Sequence, residues 1–154
     1  MDNLKRYSLS SISNFSITKS ASCNENLFLP NILFVDDRTI EISRDAIFFI
    51  VLHYTNADKE IVLSKSRKDM VVFIRQLTMA LIYVMVPNTL ESIGSYFNKD
   101  HSTVLHALKV IGNYIITNDE RKTIFINKII NKLERNYKYE NIRNSIVEIA
   151  KRYH

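Results

Sequence analysis

Asp100-His101-Ser102-Thr103 stands directly before an apolar run in a chain of 154 residues. A carboxylate, an imidazole and two hydroxyls in succession can do three kinds of work: form a nucleophilic trio, cap a helix, or read hydrogen-bonding groups on a ligand. A nucleophilic serine needs a base held by a third group in a rigid frame, often beside glycines. Ser102 next to His101 in one helical turn points the two side chains apart, so no enzyme is expected. Metal ligation is served no better. His101 and His106 are five apart rather than the i, i+4 spacing that shares a helix face, and no cysteine or second ligand pair accompanies them. His106 is expected to pack against a neighbouring helix. The chain has no glycine-rich Walker-type phosphate loop, and no cofactor is expected. Capping and reading remain open. Asp100 can accept from the N–H of Ser102 or Thr103, while exposed hydroxyls and an imidazole suit base edges, the thymine methyl and phosphates.

The elements around this cluster are helical by period. Ser43 is placed to cap a helix carrying Ile47, Ile50, Val51 and Tyr54 on one face, with a break at Thr55-Asn56 and a short segment around Lys59–Leu63. Arg67 to Val86 reads as one long helix, with Met70, Val71, Ile74, Leu77, Thr78, Leu81 and Ile82 along one side. Pro87 ends it, because the residue before proline is pushed out of the helical region. Thr89 or Asn88 then caps a short helix with Leu90, Ile93 and Phe97. Asn98-Lys99 form the turn, and Asp100 opens a helix whose buried face is Val104, Leu105, Leu108, Ile111, Ile115 and Ile116. Further helices follow from Asn118-Asp119 through Leu133 and from Asn141 to Arg152. Upstream, residues 1–26 are rich in Ser and Asn and read as a loosely attached arm. Residues 31–42 suit a short β-hairpin or an extended lead-in. The expected organisation is an N-terminal extension over 1–39, partly disordered, an all-α helix-turn-helix domain over 40–135, and a helical extension over 136–154.

Composition narrows the class. Apolar residues make up 46% of the chain, enough for a core and against global disorder. Every apolar run is too short to span a bilayer and no signal-peptide pattern is present, so no membrane partner and a cytoplasmic setting are expected. The single cysteine, Cys23, allows no internal disulfide and fits a reducing compartment. Charge is uneven. Residues 1–63 hold six Lys or Arg against eight Asp or Glu, whereas residues 64–135 hold eleven against six. A basic excess that includes Asp100–Thr103 is a footprint for phosphate backbones. It equally suits a lysine-rich solvated face. Ile, Asn, Lys and Tyr are abundant, which hints at an A·T-rich genome.

Helix, tight turn, then a helix with polar residues in its first turn is the layout of a helix-turn-helix, whose second helix enters the major groove. The residues carry a stronger signal. "IGSYFNKDHSTVLHALKVI", residues 93–111, resembles the signature of the C-terminal DNA-binding domain of the bacterial chromosomal replication initiator family, DnaA. "LSKSRKDMVVFIRQLTMAL", residues 63–81, resembles that family's basic loop and the Arg-Gln-x-x-Met-x-Leu helix. The likeness covers about residues 40–134. It implies that Asp100, His101, Ser102 and Thr103 lie in the major groove of duplex DNA, next to the basic Lys99. It implies that Arg67, in the loop it shares with Lys68, enters the adjacent minor groove and favours A·T-rich tracts. Leu90 would touch DNA from the first helix of the motif. Arg75, Gln76 and Lys109 would hold phosphates. Members bind a short asymmetric site as a single domain.

Departures from the family qualify that reading. Its initiators carry an ATPase ahead of this domain, and these residues leave no room for one, so a free-standing reader of initiator-type sites is expected. The turn lacks the paired glycines of some members, and Glu91 stands where some have proline. The resemblance implies sequence-specific duplex binding in replication control or transcription, with a phage, plasmid or other mobile element as a fitting source. The alternative is an interaction protein that keeps the helix-turn-helix as a scaffold and grips a replication initiator or other protein partner through its N- or C-terminal extension.

Overall fold

The computed structural model describes residues 42–137 and 139–153; the expected arm and lead-in lie outside them apart from Ile42. Seven helices and no strand occur among the described residues: α1 (Arg44–Thr55), α2 (Lys59–Leu63), α3 (Asp69–Met85), α4 (Leu90–Tyr96), α5 (His101–Thr117), α6 (Glu120–Tyr137) and α7 (Ile142–Arg152). None of them is long and apolar enough to cross a membrane.

Local chemistry sets the helix ends. Ser43, Thr89 and Asp100 each accept a backbone N–H with the side chain, from Ala46, Ser92 and Thr103, which satisfies one of the orphan donors at each N-terminus. Among the described residues, the chain turns through the left-handed region at four junctions, and each time the residue is asparagine: Asn56, Asn98, Asn118 and Asn141. No glycine there has a positive φ.

α3 is the hub. Phe73, Ile74, Leu77, Met79, Ala80, Leu81, Ile82 and Met85 are all buried, and α3 packs against α1, α2, α4, α5 and α7. Each large apolar side chain so buried contributes about 1.5–3 kcal/mol by transfer from water. Thr78, also buried, donates its hydroxyl to the Ile74 carbonyl at 2.8 Å, so no polar group is stranded. Two residues expected inside are not. Met70 is 38% and Ile116 52% exposed, because Met70 sits in the first turn of α3 and Ile116 in the last turn of α5, where neither helix is yet covered.

α6 runs on past residue 135, and α7 closes the same core. Ile142, Ile146 and Ala150 are fully buried, with α7 lying against α5, α3 and α6. The contact with α5 is very close. A Cβ added at Gly112 would run into the Cβ of Ala150. The apolar stripe of α7 formed by Ile142, Ile146 and Ala150 is therefore packed inside the fold.

Candidate nucleic-acid interface

The helix-turn-helix is built around Gly94. α4 ends with two bonds, Lys99 N–H to the Gly94 carbonyl at 2.9 Å and Asn98 N–H to the Ser95 carbonyl at 3.1 Å, with Asn98 at φ 53°. This is the six-to-one and five-to-two pairing of a Schellman turn. It folds the chain back so tightly that a Cβ on Gly94 would lie 2.6 Å from the Lys99 carbonyl oxygen. Asn98 supplies the left-handed corner. Phe97, fully buried, anchors the turn edge-on against Phe48 of α1 at 5.5 Å. α1 grips α4 from outside as well. Tyr96 donates to Asp45 at 2.6 Å under the Arg44 guanidinium, 5.0 Å from the ring centroid. Burial, and then the Asp45 carboxylate, push the Tyr96 hydroxyl well above the usual tyrosine range.

Asp100 does more than cap. One carboxylate oxygen, Oδ1, accepts from the Thr103 N–H at 2.9 Å, the Ser102 hydroxyl at 2.7 Å and the Thr103 hydroxyl at 2.8 Å. These bonds, the Ser102 hydroxyl foremost, lower the exposed carboxyl from 3.8 to about 2. Both hydroxyl protons thus point at Asp100, and the hydroxyls meet solvent with their lone pairs. His101 and Ser102 are exposed and Thr103 half-buried. His106 is exposed too, against the expectation that it packs on a neighbouring helix; the outward flank of α5 at that level is open. Ser102, Leu105, His106 and Lys109, spaced along one flank of α5, line a shared concavity.

The basic loop carries a correction. Arg75 is only 7% exposed and does not present itself to phosphates. Its Nε donates to the Val62 carbonyl at 2.8 Å, and one terminal nitrogen to the Ser64 carbonyl at 2.9 Å and the Ser66 carbonyl at 3.3 Å. The guanidinium fork thus draws in the loop's carbonyls. Ser64 and Ser66 tighten the loop further by accepting from the N–H groups of Ser66 and Lys68. Lys65, Arg67 and Lys68 are left exposed on it. Gln76, Leu90, Lys99 and Lys109 are half-buried. The sequence held a signal for Arg75, which stands between Phe73-Ile74 and Leu77-Thr78 on a helix apolar all round. Tyr153, at the end of α7, is a residue the sequence reading missed. It joins Ser102, Leu105, His106 and Lys109 around the same concavity, and only the docking of α7 brings it there.

Residues 44–111 match the family described as bacterial dnaA protein helix-turn-helix. The chain carries a DnaA-type C-terminal helix-turn-helix domain. Its relatives include the chromosomal replication initiator protein DnaA of Flavobacterium psychrophilum, 39% identical over 101 residues, or 65% of this chain and 21% of that protein. That of Streptococcus uberis is 46% identical over 77 residues, 49% of this chain and 17% of the relative. That of Thermoanaerobacter pseudethanolicus is 36% identical over 81 residues, 53% and 18% respectively. The chain thus spans about a fifth of the length of the curated DnaA proteins it matches. No solved structure gives a significant match. Gly94, the Schellman turn and Asp100–Thr103 all fall inside the DnaA-type segment, whereas α6 and α7 lie beyond it.

Proposed function

We propose that the protein binds duplex DNA sequence-specifically at short, asymmetric, A·T-leaning sites of the DnaA-box kind, in replication initiation control or transcriptional regulation. The observation that carries this is the Asp100–Thr103 cluster set at the exposed first turn of α5, inside the DnaA-type segment. α5 enters the major groove. The hydroxyls of Ser102 and Thr103, with their protons held by Asp100, offer lone pairs to exocyclic amines of adenine or cytosine, and the Thr103 methyl suits the methyl of thymine. His101 and His106 lie on the exposed surface of the same helix. Arg67, displayed by the loop that Arg75 holds, enters the neighbouring minor groove, with Lys68 beside it on the phosphates. Lys99 and Lys109 add phosphate contacts, and Leu90 approaches the backbone from α4.

Selection of bound duplexes from a random pool at fixed moderate salt, with wild type and His101→Ala in parallel, tests the reading. An asymmetric A·T-leaning site that blurs in the variant is the expected result. Anisotropy on that site against a scrambled duplex gives the specificity ratio at stated salt. Equal affinity for the two duplexes would refute sequence-specific binding and return Asp100–Thr103 to the role of a helix cap.

A further inference from the structure

Resting on that DNA-binding reading, we propose that the end of α7 forms a second edge of the interface, with Arg152 and Tyr153 holding a phosphate of the backbone that flanks α5. Among the described residues, Tyr153 is the one from outside α5 that lines the concavity of about 340 Å³ along Ser102, Leu105, His106 and Lys109. A major groove about 12 Å wide just admits a helix about 10–12 Å across. A group packed on the flank of the inserted helix therefore meets the sugar-phosphate wall rather than base edges. The occupant of this concavity is a DNA backbone strand.

The position is fixed before DNA arrives. Ala150 sits on Gly112, Ile142 and Ile146 are buried, and the Tyr83 hydroxyl is raised above the usual tyrosine range by the neighbouring Tyr153 and by burial. Little ordering remains to be done on binding. The charges are of the right sign. Lys109 lines the concavity, Lys151 and Arg152 stand exposed in the last turn of α7, and the neighbouring carboxylate, Glu148, is paired with Lys151 at 3.1 Å. The carbonyl end of a helix repels phosphate by a fraction of a charge, which a single arginine outweighs. α7 lies outside residues 44–111, the segment that matches the DnaA helix-turn-helix family.

Anisotropy titrations of the full chain from low to moderate salt test the inference, on the selected site and on a scrambled duplex. Arg152→Gln should weaken both duplexes by the same factor and reduce the slope of log affinity on log salt by about 0.9. Arg152→Lys, which keeps the charge, should retain the wild-type slope. Arg121→Gln, exposed at the start of α6 beyond the far end of α5, should also leave it unchanged. If wild type selects a site and Arg152→Gln matches it in affinity and slope, this inference alone falls. If wild type discriminates between no duplexes, the reading beneath it falls too.

Discussion

At the scale of single residues, Asp100, Arg75 and Gly94 show how little of the site is free to vary. The Asp100 carboxyl titrates near 2, against 3.8 in the unfolded chain. Its folded-state value is depressed, so its stabilisation is fully present above 3.8 and is lost as pH falls through 2. NMR titration should find that value, and Ser102→Ala should raise it, since the Ser102 hydroxyl is the largest cause. Arg75→Ala should lower stability by about 1–3 kcal/mol by stranding loop carbonyls, read by urea denaturation. Arg67→Ala should leave the melting temperature unchanged and weaken binding to the A·T-leaning site. Thr103→Ala should instead relax preference at one base position, by about 1–3 kcal/mol of discrimination. These roles were unequally legible in the sequence. Asp100 as a cap followed from its place before an apolar run. The family resemblance marked Arg75 as a phosphate ligand, although its apolar neighbours on α3 pointed inward, because an arginine in a basic, DNA-binding context looks the same whether its fork meets phosphate or carbonyl oxygens.

At the scale of elements, the turn between α4 and α5 is the most constrained joint. Gly94→Ala places a methyl 2.6 Å from a backbone oxygen, which cannot rotate aside as a side chain would. A loss of about 1–3 kcal/mol is expected from overpacking of this kind, along with impaired DNA binding through a displaced Asp100. Asn98→Gly should be tolerated, and Asn98→Val should cost about 1–2 kcal/mol at the left-handed corner; thermal melts separate the two. Helix order and ends were readable because Pro87, Thr89, Asp100 and the apolar spacing mark them directly. The exposure of Met70 and Ile116 was not, since a periodic stripe says which side faces inward but not how far along the helix the neighbours reach.

At the scale of the whole molecule, α7 turns the helix-turn-helix into part of a larger core. Ala150→Leu should force α7 off Gly112, lower the denaturation midpoint and disturb the Tyr153 edge of the concavity, while Lys151→Gln, on the exposed side, should do none of these. The meeting of α5 with α7 was invisible in sequence because Gly112 and Ala150 are far apart in the chain, and a small residue announces close approach only when its partner is known. Glycine is spelled with two guanines and asparagine with two adenines. A coding sequence poor in G and C can meet its left-handed corners with asparagine, as Asn56, Asn98, Asn118 and Asn141 do among the described residues. Its only two glycines, Gly94 and Gly112, are then kept for the places where even a methyl group finds no room.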